Sequence, residues 1–163
     1  MKVIVAIDQS VYRKQILDAV IKRHWPKDTA FQVLTVVEPV QFEAPAGSDL
    51  NAILKEIAER QHKMADDYLH EARAELIKHV PDCTVHTCMR EGSARHEIIN
   101  AAVDYMPDKI VLGAHGHSPN RLVPGAVSRA VVQHVPCAVE IIRLRLPHAP
   151  EKEQGKAQKT LVK

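Results

Sequence analysis

Gly113, Gly116, Gly125 and Ser128 are the residues whose types and spacing could do chemistry in this 163-residue chain. Lys109-Ile110-Val111-Leu112-Gly113-Ala114-His115-Gly116 begins as a short apolar run and ends in paired glycines. A polar loop from His117 to Pro124 follows, and then Gly125-Ala126-Val127-Ser128. Continuous apolar runs of this length become buried strands. Beyond the loop, Ala126, Val127, Ala130 and Val131 share one face of a helical pattern. A strand, a glycine-bearing loop and a helix start together make an anion site. Glycine lets the backbone approach an oxyanion without a Cβ, and the first N–H groups of the helix point outward at the positive end of its dipole. Ser128 adds a hydroxyl donor in the first turn, with Arg121 or His115 as further contacts. No lysine precedes a Ser or Thr as in a Walker A loop, and no G-x-G-x-x-G fingerprint occurs. A phosphate here would therefore rest on backbone amides and Ser128. The same glycines could simply turn the chain and start a helix, and spacing leaves both readings open.

The elements that must position these residues alternate. Val3 to Ile7 is β-branched and continuous, and Asp8 ends it. Ser10 caps a helix carrying Tyr12, Ile16, Leu17, Val20 and Ile21 to about His24. Phe31 to Val37 is a second strand, and Val40 to Gly47 a loop. Ser48 or Asp49 caps a single long helix ended by Pro81, its apolar face being Leu50, Ile53, Leu54, Ile57, Met64, Tyr68, Ala72, Leu76 and Ile77. Thr84 to Met89 is a third strand. Ser93 caps a helix lined by Ile98, Ile99, Ala102, Val103 and Met106. Lys109 to Leu112 is the fourth strand, and Cys137 to Ile142, after the helix ending near His134, the fifth. Residues 1–146 form one domain, and Pro147 to Lys163, polar and lysine-bearing, is expected to be a disordered tail.

Composition narrows the function classes. An apolar fraction of 45% and a charged fraction of 26% suit a soluble globular domain. A formal charge of +2 with only 4% aromatics gives no nucleic-acid footprint. The apolar run at Val3 is too short to export or span a membrane, so a cytoplasmic protein without membrane partners is expected. Cys83, Cys88 and Cys137 are an odd set, read as reduced, buried thiols. Cys83 and Cys88, five apart in one strand, would face opposite sides of the sheet. His115 and His117 lack a third ligand, so no metal site is expected.

Strands alternating with helices imply a parallel α/β sheet with right-handed crossovers. Ligands in such sheets sit beyond the carboxyl ends of the strands, where strand order reverses. The first crossover leaves strand one on one side, and strand four must return on the other. The switch point therefore falls between Asp8 and Gly113. An aspartate there could accept from a ligand hydroxyl or amine, or merely cap a turn.

Gly113-x-x-Gly116, a loop, Gly125-x-x-Ser128 and then His134-Val135-Pro136-Cys137 resemble the C-terminal half of the universal stress protein family, with similarity running from Lys2 to about Arg143. In the ATP-binding members nine residues separate the second glycine from a Gly-Ser or Gly-Thr. Here eight residues, His117 to Pro124, intervene, and Ala126 replaces the hydroxyl residue. The resemblance implies a Rossmann-like open five-stranded sheet, helices on both faces, in the order 3-2-1-4-5. It implies adenine nucleotide (ATP, with ADP, AMP and Mg2+ open) bound by Ala6, Asp8, Val36, Leu112, Gly113, His115, Gly116, Gly125, Ala126, Val127 and Ser128, the adenosine contacts surviving the altered loop best. It also implies a homodimer paired through strand 137–143, although Glu140 and Arg143 could blunt that edge. A regulatory role in stress response follows, with a partner protein that the sequence does not identify. The alternatives are a scaffold dimer with a vestigial cleft and, last, a slow ATPase, since no general base can be placed.

Overall fold

The computed structural model describes residues 1–10, 12–39, 50–114 and 125–143. Its order is β1 (Lys2–Ala6), α1 (Arg13–Ile21), β2 (Thr29–Val37), α2 (Leu50–His79), β3 (Cys83–Glu91), α3 (Ala94–Tyr105), β4 (Lys109–Gly113), α4 (Ala126–His134) and β5 (Ala138–Ile142). All neighbouring strands are parallel, in the order β3-β2-β1-β4-β5. This is the expected α/β sheet. Residues 40–49, with the expected caps Ser48 and Asp49, the loop holding His115, Gly116 and Arg121, and the tail from Pro147 lie outside the described residues.

Strand residues alternate between two cores, one on each face of the sheet. Val3, Val5, Phe31, Val33 and Val111 meet α1 through Ile16, Leu17 and Val20, and α2 through Leu69, Ala72 and Leu76. Ile4, Leu34, Ile110 and Leu112 meet α3 through Ile98, Ala101 and Ala102, and α4 through Val131. Phe31 is fully buried, and its ring and that of Trp25 meet in a T-shaped pair, 5.1 Å between centroids. The indole N–H of Trp25 donates to the Val20 carbonyl at 2.8 Å, which helps close α1 at Ile21, three residues short of the expected His24. Cys83 packs in the first core and Cys88 in the second, as their spacing requires. All three cysteines are free but only half-buried, and burial pushes the thiols of Cys83 and Cys137 up, away from the reactive thiolate.

The helix faces differ from expectation in three places. On α3, Ala101 is buried, while Val103 (65% exposed) and Met106 (72% exposed) look outward. On α4, Ser128 and Val131 are the buried pair and Ala126 is exposed. On α2, no side chain before Ala65 is fully buried, and Ile53, Ile57 and Ile77 are exposed. The exposure of Ile53 and Ile57 has a geometric cause. Glu91 closes β3 at the carboxyl edge of the sheet, and the His62 ring Nε2 lies 2.8 Å from its carboxylate. Because α2 runs back from that edge toward β3, its part before His62 projects about 18 Å past the sheet at 1.5 Å per residue.

Backbone specials sit where elements turn. Asp28, Asp82 and Met106 take left-handed conformations, the last closing α3 ahead of Pro107. Gly92 has φ +134, a conformation side chains rarely adopt, and a Cβ there would stand 3.3 Å from Glu97 Cγ.

Candidate functional site

Strand order reverses between β1 and β4, so the segments leaving their carboxyl ends part and open a crevice. On the β1 side, half-buried Asp8 begins the turn into α1. Its Oδ1 accepts from the Ser10 N–H at 3.1 Å and from the Ser10 hydroxyl. Ser10 Oγ accepts in turn from the Tyr12 N–H at 3.3 Å. Ser10 thus braces the turn, and α1 starts later, at Arg13. Among the described residues Asp8 Oδ2 has no hydrogen-bond partner.

On the β4 side, the Ala114 N–H donates to the Ile142 carbonyl at 2.9 Å, and the Gly125 N–H donates to the Ala114 carbonyl at 2.8 Å. Gly125 is extended and begins α4 (φ −63, ψ 169), and the Arg129 N–H returns to its carbonyl at 3.1 Å. The N–H groups of Ala126, Val127 and Ser128 therefore have no acceptor within the helix. Ser128 is 2% exposed, and its Oγ stands 3.2 Å from the Ala114 carbonyl and 3.1 Å from that of Gly125. A hydroxyl has one proton. The group expected to reach a phosphate already donates inside the fold, pinning the start of α4 to β4. Ser128→Ala should then cost about 1 kcal/mol of stability, read as a lower urea midpoint at unchanged slope.

Between these walls lies an inner cavity of about 120 Å³, lined mainly by apolar Ala6, Ile7, Ile16, Leu34, Ile98 and Leu112. It shares Asp8, Val36, Ala94, Gly113 and Val127 with an outer cleft of about 390 Å³ that adds Gln9, Glu38, Gln61, Gly125, Ala126 and Ser128. Small-molecule sites typically occupy roughly 300–1,000 Å³ and are largely apolar with a few polar anchors. Of the expected set, Ala6, Asp8, Val36, Leu112, Gly113, Gly125, Ala126, Val127 and Ser128 all line this space. His115 and Gly116 lie outside the described residues.

Glu38, Ala94 and Gln61 are among the lining residues that the expected set lacks. Glu38 follows β2, and its Oε1 accepts from the Ala94 N–H at 3.0 Å, capping α3 in place of the Ser93 hydroxyl. Ala94 itself lines both spaces. Gln61 stands four residues after Ile57 and three before Met64, a polar interruption in the expected apolar stripe and the one signal that could have found it. Beside it, the Ala58 carbonyl first, and then Glu91, raise the His62 pKa, because both ring nitrogens meet acceptors and favour imidazolium. Glu97, in the first turn of α3, pairs with Arg90 at 3.5 Å.

The model of the universal stress protein family matches residues 1–143. The chain belongs to the universal stress protein family. The universal stress protein UspA from Lactobacillus plantarum shares 26% identity with a TM-score of 0.74, the alignment covering 88% of this chain and 97% of that one. A universal stress protein family member from Arabidopsis thaliana, solved with AMP bound, shares the fold at a TM-score of 0.62 and 17% identity, covering 87% of this chain and 90% of its own. A universal stress protein of Methanothermobacter thermautotrophicus is 32% identical over 63 residues, 39% of this chain, and the match spans only 43% of that relative's length. In this universal stress protein no helix among the described residues is long and apolar enough to cross a membrane.

Proposed function

We propose that this universal stress protein binds an adenine nucleotide in the crevice between β1 and β4, and that a partner protein reads the occupied state. One arrangement carries the reading. An apolar cavity is flanked on one side by Asp8, whose Oδ2 has no partner among the described residues, and on the other by the first-turn amides of α4, which have no acceptor within the helix. The base fills the cavity, Asp8 accepts from a ribose hydroxyl or the adenine amine, and the phosphates face Ala126, Val127 and Ser128 through their N–H groups. The AMP-bound relative of the same fold supports the choice of ligand. Because the Gly125 N–H and the Ser128 hydroxyl are engaged inside the fold, most of the binding free energy comes from the adenosine part. ATP, ADP and AMP then bind with similar affinity, and Mg2+ adds little.

The role is binding rather than catalysis: Glu38 and Asp8 each give an oxygen to structural donors. The unit is a homodimer paired along the outer edge of β5. Glu140, the acid that could blunt this edge, faces inward to Arg23 and to Lys109, 3.6 Å away, which favours pairing.

Thermal melting with each nucleotide tests the reading. Ligand at 100 times Kd stabilises by about 2.7 kcal/mol, a rise in Tm of roughly 5–10 °C. Comparable rises with all three nucleotides are expected. No rise at millimolar concentration would favour the second reading, a scaffold dimer whose crevice is closed to phosphate. The internal hydrogen bonds of Gly125 and Ser128 speak for that reading.

A further inference from the structure

Among the described residues, the Gln61 carbonyl oxygen is the side-chain atom that is shielded from solvent without a hydrogen-bond partner. An amide oxygen withdrawn from water and left unpaired is destabilising, and folded proteins rarely keep one without a use for it. Gln61 belongs to α2 where that helix crosses the carboxyl edge of the sheet, and it lines the outer cleft with Asp8, Gln9, Glu38 and the start of α4. It does not line the inner apolar cavity. We infer that Gln61 is a specificity residue that accepts a hydrogen bond from a ribose hydroxyl of the bound nucleotide.

The inference rests on the nucleotide reading of the crevice, and it follows from geography and chemistry. A carbonyl oxygen can only accept, so its ligand partner carries an O–H or N–H. With the base in the inner cavity and the phosphates at the first turn of α4, the donors left for the outer cleft are the two ribose hydroxyls. Asp8 Oδ2 stands available for one, and Gln61 Oε1 serves the other. The terminal torsion of a glutamine is broad and soft, so its amide turns toward the cleft without any movement of the helix. Sites built to hydrogen-bond a hydroxyl reject analogues that lack it, because the protein's own polar group is then left unpaired. Gln61 therefore separates ribonucleotides from their deoxy counterparts.

Two measurements on Gln61→Met, which preserves length and helix propensity, test this. Without ligand, the variant should melt about 3 °C higher than the parent, because the unpaired oxygen is gone. With ligand, titration calorimetry on the parent should show ATP binding about tenfold more tightly than either 2′-deoxy-ATP or 3′-deoxy-ATP, whichever lacks the hydroxyl Gln61 serves. In Gln61→Met, ATP should weaken to the level of that deoxy analogue and the preference should vanish. Gln61→Ala, which introduces no new atoms, should repeat the calorimetric result. A variant that binds ATP as tightly as the parent and keeps the preference would overturn the inference while leaving the nucleotide reading intact. If neither parent nor variants bind any of the three compounds, the crevice reading falls, and the inference with it.

Discussion

Alanine in place of Asp8 should lower the affinity for ATP by one to two orders of magnitude, the loss of a charged acceptor with an interaction of about 1.5–3 kcal/mol. The aspartate has two duties, and the substitution removes both. Its Oδ1 holds the Ser10 N–H and hydroxyl and so fixes the turn into α1. Its other oxygen is the one that the proposed reading offers to the ligand. Asp8→Asn separates them. The asparagine side-chain oxygen still accepts from Ser10, so the Asn variant should melt near the parent temperature while binding ATP more weakly. Titration calorimetry paired with thermal melting gives both numbers. Parental ATP affinity in Asp8→Ala would remove Asp8 from the site, whatever else binds there.

The largest effect on stability is expected from Phe31→Ala. Phe31 is fully enclosed between β1, β3 and the Trp25 ring, with α1 and α2 packed over the same face. Truncating such a ring forfeits its transfer free energy and leaves a void that a parallel sheet covered by two helices collapses poorly. The cost is about 3–5 kcal/mol. For a chain of this size that is a fall in Tm of roughly 10 °C or more, and a urea midpoint shift at constant slope would identify it as stability alone. Trp25 loses its edge-on partner in the variant, so its fluorescence offers a convenient signal. A loss below 1 kcal/mol would mean that the Trp25 indole swings in to fill the gap.

Much of this was legible in the chain. Val3 to Ile7, Phe31 to Val37 and Lys109 to Leu112 are continuous apolar runs because parallel strands are covered on both faces, and alternation with helices then forces a crevice at Asp8 and Gly113. Helix faces were less legible. Val103 and Met106 are apolar at helical spacing, yet they fall on the outer side of α3, beside Pro136 and Cys137, whereas small Ala101 takes the core position. Hydrophobicity alone does not report which neighbour a residue meets. Ser128 shows the complementary limit. Its type and place suit a phosphate donor, but the direction of its one proton is set by two carbonyls brought near only by the fold. Gln61 was hidden because an amide in a long helix looks like a solvated surface residue, and only its place in the apolar stripe sets it apart.

The forward reach of α2 makes that helix a cantilever. Its rear half is clamped by Ala65, Leu69, Ala72 and Leu76, while among the described residues the front half shows no fully buried side chain and one weak Lys55–Glu59 pair at 3.8 Å. A segment of three turns is marginal as an isolated helix, so the front keeps its coil chiefly because the rear supplies the nucleus. Bending or fraying there disturbs no strand. The front turns, with Ile53 and Ile57 exposed, are where the molecule can answer a neighbour at small energetic cost while the sheet beneath stays as it is.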